Sequence, residues 1–253
     1  MTTPIVKLPP DLSPDQLEER IAELLATART LATVPISSFR VGAVAISDGT
    51  AYLGANQEIA GLPLNFTVHA EQAAIINARA SGARAIQRLV VSAAPCGACR
   101  QFLTELRAPL IVTYSGVTQD LANLIPDGFT LGESEGLLAP TPSAPKTNAD
   151  PLTAAAQRAA AASYSPYTGT KSGIALACAS GATYAGSLVE SAAYNPTLSA
   201  LQVALTLKNL AGDGTSVAAI ALCEKGLTPL APVLPALLAG LRWSPEIHVT
   251  PYP

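Results

Sequence analysis

Apolar residues recur along this chain with two different periods, and the switches between them mark out its elements. Leu17, Ile21, Leu24, Leu25, Ala28 and Leu31 fall at helical spacing, which predicts one amphipathic helix reaching about Ala32. Its start is written in Ser13-Pro14-Asp15-Gln16: a capping serine, a proline at the first helical position, and a glutamine three residues after the cap. Over 40–46 small and β-branched residues alternate, predicting a strand. Asp48-Gly49-Thr50 makes a tight turn and 51–54 a returning strand, so the pair forms a hairpin, with Phe39 at the start of its first strand. Helical spacing resumes at Val68 and carries Ala70, Ala73, Ala74, Ile75 and Ala78 to an end near Ser81-Gly82. Leu89-Val90-Val91 predicts a central strand, Pro95-Cys96-Gly97 a turn into a helix over 98–106, and residues 110–114 another strand.

Beyond this the texture changes. Residues 133–151 carry Pro140, Pro142 and Pro145 with few large side chains, the composition of a linker. The expected division is therefore a first domain over 1–132, a linker over 133–151 and a second domain over 152–253. The second domain reads as a worn repeat of the first. Pro166-Tyr167-Thr168-Gly169-Thr170-Lys171-Ser172-Gly173 aligns with Pro35-Ile36-Ser37-Ser38-Phe39-Arg40-Val41-Gly42, and Tyr184-Ala185-Gly186 with Tyr52-Leu53-Gly54. Glu190 then falls on Glu58, and Ser199-Ala200-Leu201-Gln202 on His69-Ala70-Glu71-Gln72.

Composition narrows the function. Of 253 residues, 49% are hydrophobic and only 13% charged, a globular and not a disordered balance. Net charge is −3, and the 15 lysines and arginines are scattered without a run. A nucleic-acid binder normally shows a basic stripe, so a small-molecule substrate is favoured over nucleic acid. The N-terminal stretch 1–10 has no apolar core of a leader, and 227–241 is broken by Pro229, Pro232 and Pro235, so neither reads as a targeting or membrane segment. Four cysteines without a secretion signal imply reduced thiols and a cytoplasmic protein.

The chemistry is concentrated between His69 and Gln101. His69-Ala70-Glu71 is followed by Pro95-Cys96-Gly97-Ala98-Cys99-Arg100-Gln101. One imidazole and two thiolates are zinc-type ligands, and three protein ligands leave the fourth tetrahedral position open. Glu71, two residues past His69, is placed to face that position as a proton carrier. A dithiol redox pair would explain Cys-x-x-Cys alone, but not the His-x-Glu upstream. A closed structural site would need His248, Cys178 or Cys223, all far along the chain, and would leave Glu71 without a task. Arg100 has two readings, a residue behind the ligands that tempers thiolate charge or a solvated helix residue.

His-x-Glu with Pro-Cys-x-x-Cys is the general signature of zinc deaminases, and the match here is closer. His69-Ala70-Glu71-Gln72-Ala73-Ala74-Ile75 and Pro95-Cys96-Gly97-Ala98-Cys99-Arg100-Gln101-Phe102 resemble the two metal motifs of the cytidine deaminase family. Phe39-Arg40-Val41-Gly42-Ala43 and Gly54-Ala55-Asn56-Gln57-Glu58 resemble its two upstream substrate motifs. The whole chain is similar to the long, two-domain members, whose second half is a degenerate copy. The resemblance implies an α/β fold: two α/β/α sandwiches, each a mixed sheet flanked by helices, behind an N-terminal helix.

It further implies one Zn2+ per chain on His69, Cys96 and Cys99, with Glu71 as the catalytic acid–base. The base would lie beside the Phe39 ring, with the backbone near Ala70 and Cys96 reading its edge, and the ribose hydroxyls on Asn56 and Glu58. Where the family usually has tyrosine, three residues before this phenylalanine, the chain has Ile36. In long relatives a segment like Ile125-Pro126-Asp127-Gly128-Phe129 reaches the partner subunit's active site, which would give Phe129 that role in a homodimer. The expected activity is hydrolytic deamination of cytidine or deoxycytidine to the uridine product and ammonia, in pyrimidine salvage. The alternatives are a nucleic-acid cytosine deaminase, disfavoured by the absent basic stripe, and a non-catalytic zinc or nucleoside binder, disfavoured by Glu71. No metal is expected in the second half, where Ser199 and Leu201 replace the histidine and the glutamate, Thr170 replaces the ring and Leu188 the amide.

Overall fold

The helix signal over 17–31 and the alternation after residue 40 meet as two layers. A computed structural model describes residues 3–143 and 147–253, so the linker's Pro145 lies outside the described part. α1 (Pro14–Thr30) begins on the Ser13 cap, whose hydroxyl accepts the Gln16 N–H at 3.3 Å while the Gln16 side chain accepts the Ser13 N–H at 2.9 Å. The predicted hairpin is β2 (Gly42–Ser47) and β3 (Thr50–Ala55), closed by Asp48 and Gly49 at positive φ. α1 packs Leu24 and Ala28 against Val44 and Leu53 on one sheet face. α2 (Ala70–Ala80) packs its alanines against Ala43, Ala45 and Tyr52 on the other. Gly54 permits that approach: a Cβ there would lie 2.1 Å from the Ala74 nitrogen.

β4 (Arg88–Val91) and β5 (Ile111–Tyr114) extend the sheet in parallel, and α3 (Gly97–Leu103) connects them on the α2 side. Two short strands escaped the sequence pattern, β1 (Ile5–Lys7) and β6 (Val117–Asp120), which close the two edges. The order is β1-β3-β2-β4-β5-β6. A short helix, α4 (Leu121–Leu124), follows β6.

The second half rebuilds the centre of this sheet. α5 (Pro151–Ala161) answers α1, the hairpin β7 (Lys171–Cys178) and β8 (Thr183–Ser187) answers β2–β3, and α6 (Ala200–Leu210) answers α2. β9 (Val217–Lys225), α7 (Leu234–Leu241) and β10 (Glu246–Pro251) answer β4, α3 and β5, in the order β10-β9-β7-β8 with β9 and β10 parallel. Even the tight contacts repeat. A Cβ on Gly173 would meet the Ala160 nitrogen at 2.0 Å, and one on Gly186 the Ala200 carbonyl at 2.2 Å. The fold is thus the expected pair of mixed α/β units.

The halves join through α2 and α6 with reciprocal bonds: Gln72 Nε2 donates to the Pro196 carbonyl at 3.1 Å, and Gln202 Nε2 to the Asn65 carbonyl at 3.3 Å. Glu105, fully buried just beyond α3, accepts from Tyr164 Oη (2.9 Å), Tyr167 Oη (2.6 Å) and the Ala192 N–H (2.7 Å) of the second half. The stretch expected as linker is partly anchored: Leu137 and Leu138 are buried, the Leu137 N–H donates to the Glu105 carbonyl at 2.7 Å, and Asp150 caps α5. Among the described residues no helix is long and apolar enough to cross a membrane.

Candidate active site

Two helix starts meet at one point. His69 is the N-cap of α2, just before the first turn in which periodicity placed it, and Cys96 is the N-cap of α3, with Cys99 three residues on. The chain enters α2 along a fixed path: Val68 and Gln57 exchange backbone hydrogen bonds at 2.8 and 3.0 Å, and Gln72 Oε1 accepts the His69 N–H at 3.1 Å. His69 Nδ1 then stands 3.5 Å from Cys96 Sγ and 3.3 Å from Cys99 Sγ. All three donor atoms lie within 4.8 Å of one another.

The donor set fits zinc. Bond lengths of about 2.3 Å to sulfur and 2.0–2.1 Å to nitrogen at tetrahedral angles put neighbouring N and S donors about 3.5 Å apart, the spacing found here. Hydrogen bonds from Cys99 and then His69 hold the Cys96 thiol down to about 3, deep in the thiolate range. Both helix N-termini aim their partial positive charge at this point. No disulfide competes for these thiols; all four cysteines are free.

Glu71 lies one residue into α2 from Ala70 and is buried. Burial pushes its carboxyl above the usual carboxylate range, which suits a group that must both take and return protons near neutrality. A cavity of about 300 Å³ opens over these groups, lined by Phe39, Val41, Asn56, Glu58, His69, Ala70, Glu71 and Cys96. The predicted proton-carrying and substrate residues therefore line one cavity with His69 and Cys96, while Cys99 is buried beside it within reach of both. Ser37, Thr67, Ala93 and Ala94 also line it and were not singled out from sequence, since small residues in loops carry no pattern of their own.

Asn56 and Glu58 are buried, not the exposed loop residues their context alone suggests, and both are engaged with backbone. Asn56 Nδ2 donates to the Phe39 carbonyl at 2.8 Å and its Oδ1 accepts the Val41 N–H at 2.9 Å. Glu58 Oε2 accepts the N–H groups of Ile36 (2.8 Å) and Ser37 (2.9 Å), and Oε1 accepts the Ser37 hydroxyl. Burial alone would raise the Glu58 pKa, but these hydrogen bonds bring it below the usual value. Phe39 precedes β2 by three residues and is 62% exposed, so its ring forms the rim of the cavity. Arg100 does not line the cavity: its Nε donates to the Pro95 carbonyl at 2.9 Å and Nη1 to the Leu124 carbonyl at 2.9 Å, fixing the turn before Cys96. Phe129 is half exposed and also outside the cavity; its carbonyl accepts from Gln101 Nε2 at 2.6 Å.

A three-donor metal cradle with a buried carboxylate beside its open side defines a metal-dependent hydrolytic centre. Comparison with known proteins agrees. Family models described as the cytidine and deoxycytidylate deaminase zinc-binding region match residues 15–115 and 121–231. A cytidine deaminase of Sodalis glossinidius (strain morsitans) is 38% identical over 89% of this chain and 80% of its own length. Among solved structures, cytidine deaminases of Mycobacterium tuberculosis (29% identity, 45% of this chain, 98% of that one, TM-score 0.41) and Burkholderia pseudomallei (31%, 44%, 98%, 0.39) also match. This chain belongs to the cytidine deaminase family, with zinc as its cofactor. The second model's match begins at residue 121, ahead of the stretch read as a linker.

Proposed function

We propose that the protein converts cytidine or deoxycytidine and water to the corresponding uridine and ammonia. His69, Cys96 and Cys99 hold the zinc, which when bound supplies a water of lowered pKa as nucleophile. Glu71 takes a proton from the attacking water and passes it to ring N3 as the new bond forms at C4. A second transfer through Glu71 reaches the amine as the C4–N bond breaks, so ammonia leaves and the carboxylate is restored. Phe39 covers the base, the backbone about Ala70 and Cys96 reads its edge, and Asn56 and Glu58 take the ribose hydroxyls. The observation that carries this reading is the buried Glu71 in one cavity with His69 and Cys96 of the His–Cys–Cys cradle.

The finer reading is a homodimer acting in cytoplasmic pyrimidine salvage, with the catalytic domain over 1–132 and a metal-free copy over 152–253. Phe129 would reach the partner's cavity, and Arg100 supports the metal loop from behind through Pro95. Exposed Ile36, Phe39, Leu64 and Phe129 support burial of the catalytic half's surface against another subunit. Purified protein incubated with cytidine should lose the cytosine absorbance and release one ammonia per uridine formed. Zinc-loaded protein that leaves cytidine and deoxycytidine untouched would refute the proposal.

A further inference from the structure

β8 is the outer strand of the second sheet, and among the described residues nothing pairs with its free edge. The matching edge of the first sheet is filled. There β1 lies antiparallel to β3, with Ile5 opposite Tyr52 and Lys7 opposite Thr50. The Leu53 N–H donates to the Pro4 carbonyl at 3.1 Å, and Asn77 Nδ2 to the same carbonyl at 3.0 Å. Leu53 stands opposite Val44 of β2, and its counterpart Ala185 stands opposite Ala175 of β7. Antiparallel pairing alternates, so the Ala185 N–H and C=O point outward from the edge as those of Leu53 do.

This edge is not flat and open. It forms the floor of a groove of about 460 Å³ between α2, α5 and α6, with Thr141 of the stretch that joins the halves also on its wall. Ile76, Val203 and Leu207 make an apolar wall, Leu207 standing where Asn77 stands in the first half. Arg79 and Arg158 line the groove as well, and neither forms an ion pair with a described carboxylate. The Arg79 guanidinium is oriented by the Ala162 carbonyl at 2.7 Å, and burial brings its pKa down to about 10. A largely desolvated cation with no anion, beside a strand seat with no partner among the described residues, asks for a ligand that supplies both.

We propose that this groove docks an extended segment of a partner protein with alternating apolar and acidic residues, added antiparallel to β8 as a fifth strand. Main-chain hydrogen bonds to Thr183, Ala185 and Ser187 set its register. Its apolar side chains pack on the wall of Ile76, Val203 and Leu207, and its acidic ones meet Arg79 beside Ile76 and Arg158 on α5. The chain's own β1 shows that this scaffold accepts a strand at that edge, and its Lys7 shows why β1 itself would be the wrong occupant beside two arginines.

The test uses full-length zinc-loaded protein and a fluorescein-labelled peptide of sequence Thr-Val-Glu-Val-Glu-Ile-Thr, with a lysine-for-glutamate peptide as control. Anisotropy should show saturable one-to-one binding of the acidic peptide only. Arg79→Gln with Arg158→Gln should weaken it about tenfold or more while circular dichroism and zinc content stay unchanged. Ala185→Pro removes an N–H that serves no bond within the sheet, so an edge strand tolerates it, and peptide binding should vanish. Three results would each overturn the proposal: no saturable binding, binding indifferent to the arginine pair, or full displacement of the peptide by millimolar inorganic phosphate. An edge already occupied by a second copy, seen as a drop in oligomer mass on Ala185→Pro, would do the same.

Discussion

His69 and Ser199 occupy the same place in the two halves, and the difference between them separates scaffold from chemistry. Each caps its helix, and each donates its N–H to a glutamine three residues on, at 3.1 and 3.0 Å. Ser199 closes the box by accepting the Gln202 N–H at 3.3 Å, whereas the His69 ring turns away to the thiols of Cys96 and Cys99. Two residues further on, Glu71 and Leu201 are both buried, one carboxyl held against its solvation preference and one side chain in ordinary core. The ring at Phe39 has become Thr170, whose hydroxyl accepts the N–H groups of Leu227 and Thr228 at 3.2 and 3.4 Å, tying a loop down over the corresponding region. The backbone that presents a metal ligand therefore persists where no such ligand remains.

The sharpest way to break this comparison is to count metal. His69→Ala, Cys96→Ala or Cys99→Ala should abolish both bound zinc and turnover. Cys178→Ser with Cys223→Ser should leave both near the wild-type level, since those buried thiols belong to no group of three metal donors among the described residues. Elemental analysis giving two zincs per chain would end the idea of a metal-free copy. Next in size is Glu71→Gln, which keeps the cradle and removes the proton carrier. Turnover should fall by at least about 10²–10⁴-fold with zinc retained; a variant keeping a tenth of the activity would remove Glu71 from the reaction.

Glu105 tests whether the copy supports the catalytic half. Its carboxylate gathers two tyrosine hydroxyls and a backbone N–H from across the joint. Glu105→Ala leaves all three without their acceptor, which should cost on the order of 3 kcal/mol. The opposite joint is bare: Gly61 and Gly240 meet backbone to backbone, with no room for a Cβ on either. Denaturant unfolding that changes by less than about 0.5 kcal/mol would show the halves to be independent.

A subtler contrast pairs Glu58 with Glu190. Glu190 accepts the N–H groups of Tyr167 (3.0 Å) and Thr168 (3.3 Å) and the Thr168 hydroxyl (2.5 Å), the same loop-holding pattern Glu58 makes. Since it persists in the copy without the metal motif, loop holding is a role these carboxylates share apart from any ribose contact. Glu190→Ala should then lower the melting temperature with little change in KM. Glu58→Ala should lower it similarly and raise KM for cytidine about tenfold or more, the size of one lost charged hydrogen bond. Equal KM values in both variants would make Glu58 structural only.

Much of this was legible in the chain. α1 declares itself because it buries one periodic face, the hairpin through its Asp48-Gly49 turn, α2 and β4 as apolar runs buried on every side, and the site motifs because their spacing is local. β1 was not, because three half-exposed residues have no period and become a strand only when β3 offers its edge. The anchored Leu137-Leu138 pair was hidden in a proline-rich stretch for the same reason: its burial depends on Glu105, distant in sequence. Likewise nothing local tells that Arg100 spends its hydrogen bonds on the Pro95 and Leu124 carbonyls.

The smallest expected effect concerns how each half fastens its first helix. α1 is tied to β4 by an ion pair in which both terminal guanidinium nitrogens of Arg88 meet the Glu18 carboxylate, Nη2 at 2.9 Å. α5 lies on its sheet through Ala156 and Ala160 packed on Ala175 and Ala221. The Arg88 hydrogen bond holds the Glu18 carboxyl below its ordinary value of 4.5. A folded pKa below the unfolded one means the pair contributes its full stability above pH 4.5 and loses it as the pH falls from there through the lower folded value. Glu18 is more than half exposed, so solvent and salt screen the pair to about 0.2–1 kcal/mol. Glu18→Gln should therefore lower stability by that amount at pH 7 in low salt, by less in 1 M NaCl, and by less at pH 3 than at pH 7. A loss of equal size at pH 3 and pH 7 would mean that α1, like α5, is held by packing alone.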